Sequence, residues 1–186
     1  VMTANIARWL PEQARDRGDA TAVIDSRSGA SHTFRALDSE SDALARGLRQ
    51  LGLAPGKRGI LMVPPGFPFF ALTFALFKAG AIPVLIDPGM GVRGLGKCIE
   101  EADADMFIGS TKAQVARLLF RWCRARPPRC VWVGPSPPGT LNYRRVLDRG
   151  RAGGPILADL EESSPAAILF TSGSTGSADA AHFVKL

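Results

Sequence analysis

The sequence predicts an α/β protein: a mostly parallel sheet flanked by helices. Two observations carry this. Short apolar runs of strand length recur along the chain, at Ile60–Val63, Ile82–Ile86, Met106–Ile108, Cys130–Val133 and Ala166–Phe170. Between several of them lie segments with helical periodicity, and such βα alternation folds as a parallel sheet covered on both faces.

Taken in order, Ile6–Leu10 with Ala14 predicts a short amphipathic helix reaching about Arg17. Thr21–Ile24 reads as a strand and Ser31–Phe34 as its hairpin partner. Leu37, Ser41, Leu44, Leu48 and Leu51 recur at alternating steps of four and three, one face of a helix, with Gly52 placed to end it. After strand Ile60–Val63 and a Pro-Pro-Gly turn, Phe69–Lys78 is apolar on nearly every side, which predicts a buried helix closed by Gly80. Strand Ile82–Ile86 follows, then a stripe of Val92, Leu95, Cys98, Ile99 and Ala102 that puts Cys98 in the core. A helix from Gln114 to about Arg124 separates strands Met106–Ile108 and Cys130–Val133. Pro135–Gly139 and Arg149–Pro155 read as loops.

The chain has 186 residues, 46% of them hydrophobic, enough for one domain with a real core. Its net charge of +6 is uneven: Lys112 to Ala152 holds ten Lys or Arg and a single acid, Asp148. Such a segment could face nucleic acid, acidic lipid or a protein. Without an aromatic ladder, zinc finger or helix-turn-helix signature, it reads as a solvated arginine-rich surface and nucleic acid is not an expected partner. Cys98, Cys123 and Cys130 form no CxxC, and with only His32 and His182 beside them no metal site is expected. An odd count of three suits a reducing cytoplasm better than a secreted, disulfide-stapled domain. Glu12, Asp16 and Asp19 interrupt any signal-like apolar run. The uncharged stretch Gly59–Phe77 is broken by Pro64, Pro65, Gly66 and Pro68, so no transmembrane segment is expected.

Two glycine-bearing motifs follow apolar runs. Gly89-Met90-Gly91-Val92-Arg93-Gly94 matches the dinucleotide fingerprint, with Asp105 downstream. It lies after several elements rather than after a first strand, and Asp87-Pro88 precedes it, so it reads as a tight strand-to-helix turn. The second motif, Thr171-Ser172-Gly173-Ser174-Thr175-Gly176, continues strand Ala166–Phe170. Its hydroxyls and backbone N–H groups can donate to phosphate oxygens, and its glycines let the backbone approach closely. It fits neither the Walker A spacing nor G-x-S-x-G.

Ala166–Gly176, "AAILFTSGSTG", closely resembles the phosphate-binding signature of the AMP-forming adenylating enzymes: acyl-CoA synthetases, peptide-synthetase adenylation domains and luciferases. Thr33–Leu37, Pro55–Arg58 and Phe69–Asp87 agree with it. Asp87–Gly91 and Phe107–Gly109 look most like the olefin-pathway β-lactone synthetases, which act on long-chain 2-alkyl-3-hydroxy acids. The resemblance implies the N-terminal part of the family's large domain, with ATP and Mg²⁺ as cofactors. By position, Thr171, Ser172, Gly173, Ser174, Thr175 and Gly176 would hold the β- and γ-phosphates. The implied reaction is activation of a carboxylic acid as acyl-adenylate with pyrophosphate release. In the lactone branch the substrate's own hydroxyl then expels AMP. A fatty acyl-CoA ligase, or a truncated non-catalytic module, is the alternative. Proteins of the olefin pathway are the implied partners.

Residues 1–176 form this partial domain, and 177–186 an atypical tail. Where the family signature continues Pro-Lys-Gly, this sequence has Ala178-Asp179-Ala180. The resemblance assigns the adenine pocket and the catalytic lysine to regions beyond these residues, so no catalytic residue is identified here and the chain alone is expected to be inactive. His182-Phe183-Val184 resembles a helix start.

Overall fold

The computed structural model describes residues 4–26, 28–124, 126–171 and 181–185. A 3₁₀ turn, Ile6–Arg8, leads into α1 (Trp9–Asp16). Strands β1 (Thr21–Ile24) and β2 (Ser31–Thr33) then form a separate antiparallel hairpin. Helix α2 (Phe34–Gln50) starts where the Thr33 hydroxyl accepts from Ala36 N at 3.2 Å, satisfying one of the free N–H groups of the first turn.

The main sheet is built from β3 (Arg58–Met62), β4 (Ile82–Ile86), β5 (Met106–Ser110), β6 (Arg129–Val133), β7 (Pro165–Phe170) and β8 (Ala181–Lys185). Its spatial order is β6-β5-β3-β4-β7-β8, with every pair parallel except the last. Helices α3 (Phe67–Ala79), α4 (Gly91–Ala102), α5 (Thr111–Leu119) and α6 (Tyr143–Gly150) connect these strands.

Side-chain alternation along the strands sorts the core into two layers. Leu61, Met106, Ile108 and Val131 face α2, α3 and α6, meeting Leu44, Leu48, Leu72, Leu76 and Val146. Ile60, Val84, Phe107 and Ile168 face the other way, onto Leu95, Cys98 and Ile99 of α4 and Ala113 of α5. Cys98 is fully buried, as its place on the stripe predicts. Helix α3 ends at Gly80, whose φ of 77° is a left-handed conformation that costs glycine little.

Three elements differ from the sequence reading. Helix α5 begins at Thr111, because the Ser110 hydroxyl accepts from Ala113 N, and it stops at Leu119, before left-handed turns at Arg121 and Cys123. The loop read from Arg149 begins two residues later, since Arg149 and Gly150 close α6. That helix is capped by the Asn142 side chain, 3.0 Å from Arg145 N. His182–Val184 is not a helix start but part of β8, whose backbone pairs antiparallel with β7.

Helices α2 and α6 touch backbone to backbone. A methyl group added at Gly150 would lie 1.8 Å from Ala43 O, and one at Gly47 would lie 2.1 Å from Val146 O. The basic segment is consequently divided: α5 sits on one face of the sheet and α6 on the other. Several of its arginines serve the fold. Arg126 pairs with Asp103 and Asp105, Arg129 donates to Leu51 O, and Arg145 donates to Gly139 O and Thr140 O.

Among the described residues one cation lies in the core. Lys78 is 1% exposed and donates to Asp38 Oδ1 at 2.6 Å, Asp42 Oδ1 at 2.7 Å and Asp38 O at 3.0 Å. Asp42 also accepts from Ile156 N, and Lys78 O accepts from Ala158 N at 2.8 Å. Thus α2 and α3 meet at one ammonium group, and residues 156–158, ahead of β7, bond to its partner Asp42 and to the Lys78 carbonyl.

Candidate functional site

In an open parallel sheet, ligands bind beyond the carboxyl ends of the strands, where neighbouring connections leave toward opposite faces. Here the chain leaves β3 toward the α3 face and β4 toward the α4 face, the arrangement in which that rule places a ligand between their ends. Strand β7 lies on the other side of β4, with Ile86 paired to Phe170. Asp87 N donates to Phe170 O at 3.0 Å, so the first residues beyond β4 and β7 are stitched together. Thr171, the first residue of the hydroxyl-glycine motif, emerges exposed at this point. The other five residues of the motif, Ser172, Gly173, Ser174, Thr175 and Gly176, lie outside the described residues, as does Asp179.

The neighbouring G-x-G-x-x-G is a closed turn. The Asp87 carboxylate accepts from Gly89 N at 2.8 Å, and Met90 N bonds Asp87 O at 3.2 Å, forming the 3₁₀ turn Pro88–Met90. A carboxylate already occupies the N–H that a pyrophosphate would need, and its charge would repel one. In the sequence Asp87 is only the residue before a strand-to-helix turn. Its dual role, capping one turn and holding the exit of β7, was signalled only by the Asp-Pro-Gly order typical of side-chain-capped turns.

At the opposite edge a groove of about 430 Å³ is lined by Lys57, Asp105, Pro128 and Arg129. Burial pushes the Asp105 carboxyl up, but the Arg58 N–H, Lys57 and Arg126 outweigh it and hold it below the ordinary value. These contacts bracket the amino ends of β3, β5 and β6, the edge that open sheets use for stability. Among the described residues no three His, Cys, Asp or Glu side chains converge as a metal site.

Five mutually parallel strands with helices on both faces define the class: an α/β protein with an open, mostly parallel sheet, whose β7 ends beside β4 at Thr171. Residues 10–179 match the sequence profile of the AMP-binding enzyme family, and the chain belongs to that family. Olefin beta-lactone synthetases of Stenotrophomonas maltophilia and Xanthomonas campestris are 45% and 43% identical to it, each over 92% of this chain. A salicyl-AMP ligase / salicyl-S-ArCP synthetase of Mycobacterium tuberculosis is 32% identical over 90% of the chain and 31% of its own length. The chain spans about a third of the length of these curated relatives. Among solved structures, an anthranilate CoA ligase in complex with anthranoyl-AMP superposes with a TM-score of 0.83 at 19% identity, covering 95% of this chain and 34% of that one. The apo structure of MbtA of Mycobacterium smegmatis superposes with a TM-score of 0.73 at 27% identity, covering 94% and 32%.

Proposed function

We propose that this chain is the N-terminal part of an ATP-dependent enzyme that activates a carboxylic acid as acyl-adenylate, releasing pyrophosphate. The substrate class is a long-chain 2-alkyl-3-hydroxy acid, closed to a β-lactone with loss of AMP. The observation that carries this reading is the 43–45% identity to olefin beta-lactone synthetases over 92% of the chain. The exit of β7 at the ligand edge supports it.

In this reading Thr171 and the hydroxyl and N–H donors of Ser172 to Gly176 grip the β- and γ-phosphates. Their work is to position the triphosphate and balance its charge, the main requirements of such a transfer. The donor set suits magnesium, which keeps waters and is carried largely by substrate phosphates. Bound there, Mg²⁺ would neutralise phosphate charge. Asp87 acts one step back, fixing the direction in which the chain leaves Phe170. None of the three cysteines is in a disulfide, which agrees with a cytoplasmic setting that belongs to the same proposal, as do partner proteins of an olefin-forming route.

The test is acid-dependent exchange of labelled pyrophosphate into ATP by the enzyme containing this chain, with products identified by mass spectrometry. A β-lactone and AMP are expected from a 3-hydroxy acid. A thioester formed only with coenzyme A would replace the lactone reading by the ligase reading, and no exchange with any long-chain acid would refute both. Asp179, at the place of the family's lysine, favours a second reading in which the chain is a non-catalytic module. Unchanged ATP affinity in Asp179→Lys and in Thr171→Ala would support that one.

A further inference from the structure

The last rung between β4 and β7 is made by a residue that belongs to neither strand. Their ladder ends at the pair Ile86 and Phe170, and one residue on, Asp87 N donates to Phe170 O at 3.0 Å. Among the described residues no main-chain bond between the two segments lies beyond it. Phe170 is buried, whereas Thr171, the first hydroxyl of the hydroxyl-glycine motif, is exposed. The Asp87 N–H thus fixes the carbonyl from which that hydroxyl departs.

The turn behind this N–H aims it. Gly89 N donates to the Asp87 carboxylate at 2.8 Å and Met90 N to Asp87 O at 3.2 Å, which holds residue 87 at φ −63° and ψ 117°. At the far end of the turn Met90 packs against the core layer that contains Phe170, and the Cys98 thiol donates to its sulfur at 3.8 Å. On electrostatic grounds a carboxylate is unfavourable at this place, because a negative charge ahead of a phosphate-binding motif weakens an anion's binding. The geometry supplies its reason: a side-chain cap of this kind needs an acceptor oxygen, not a charge.

We propose that Asp87 is a positioning residue for the triphosphate and that it works through two of its atoms. Its main-chain N–H fixes Phe170 O, and with it the place of Thr171; its Oδ1 shapes the turn that aims this N–H. The negative charge is dispensable, and no group of Asp87 touches the ligand or Mg²⁺. The proposal rests on the adenylation reading, in which Thr171 meets the phosphates.

Three variants of the enzyme containing this chain separate these atoms. Asp87→Asn keeps the acceptor oxygen without the charge, and Asp87→Ala removes the acceptor but keeps the N–H. Asp87→Pro deletes the N–H as well, at a φ that proline adopts unstrained. In labelled-pyrophosphate exchange the KM for ATP should stay within about twofold in Asp87→Asn, rise about threefold in Asp87→Ala and rise about tenfold in Asp87→Pro, the scale of one and two lost hydrogen bonds. The KM for the acid should not move. A merely structural role would lower the active fraction, and so the rate, and leave both KM values alone. Asp87→Asn as impaired as Asp87→Pro would overturn the proposal by making the charge essential, as in a metal ligand. So would an ATP KM unmoved in Asp87→Pro or, should that variant not fold, in Asp87→Ala. Calorimetric titration with ATP and Mg²⁺ keeps the two readings apart. Wild-type affinity that weakens in the same order, without any exchange, would refute adenylation and support the positioning role; no ATP affinity in the wild type would overturn both.

Discussion

Replacing Lys78 with methionine keeps the volume of the side chain and removes its charge. Lys78 is 1% exposed, and its ammonium group holds Asp38 and Asp42 at 2.6 and 2.7 Å. Those carboxylates are themselves only 20% and 12% exposed, so the variant leaves two facing negative charges with little water to screen them. Breaking a buried pair from one side costs about 3–5 kcal/mol, whereas replacing all partners with well-packed neutral groups is often neutral or stabilising. Against a total stability of about 5–15 kcal/mol this is a large loss. For a chain of this length it corresponds to a fall in melting temperature of roughly 10 °C. Urea unfolding at pH 7, followed by circular dichroism, measures it. The compensated variant Lys78→Met, Asp38→Leu, Asp42→Asn should recover most of the loss, because the introduced amide oxygen could still accept from Ile156 N. A cost below about 1 kcal/mol for Lys78→Met, or a compensated variant as unstable as the single one, would show that the ammonium is not what joins these elements.

Three further outcomes are expected. Gly150→Ala forces a methyl group onto Ala43 O and should destabilise by about 1–3 kcal/mol, read from the same unfolding curves. Tyr143 is the sole tyrosine; burial, then its hydrogen bond to Glu40, push its phenol far above the ordinary value. Its folded form keeps the proton more tightly than the unfolded form, so this stabilisation is whole below pH about 10 and lost as pH rises further. Absorbance at 295 nm should show no phenolate at pH 11 until the protein unfolds. Burial pushes the Cys123 thiol up to about 11 and raises Cys130 as well, while Cys98 is fully buried. All three should react slowly with a disulfide reagent at pH 8 and quickly once denatured; a fast native phase would contradict this environment.

The five parallel strands of the sheet were legible because each carries an apolar run of strand length, and α2 because its leucines keep strict helical steps. Helix α6 was not: of its eight residues only Tyr143, Val146 and Leu147 are apolar, and it is held by an asparagine cap and by packing on α2. Strand β8 takes its form from β7, a pairing that local sequence does not encode. The site divides similarly. The hydroxyl-glycine motif announced itself through composition, and its first residue, Thr171, follows the carboxyl end of β7. The bond from Asp87 N to Phe170 O joins residues far apart in sequence, and no periodicity marks it. The buried Lys78 cluster escaped for the same reason: Asp38 and Asp42, four residues apart on a helix, look like surface charges until α3 arrives.

The position of β7 beside β4 has a consequence for synthesis on the ribosome. Strand β4 is complete at Ile86, but its second neighbour begins only at Pro165, about 80 residues later. At translation rates of about 5–20 residues per second, one side of Ile82–Ile86 stays unpaired for roughly 4–16 s. During that interval the nascent chain presents an open apolar edge, a template for strands of other chains. The element that closes this gap is also the one that delivers Thr171, so the residues beyond β4 and β7 come together only when the edge is sealed.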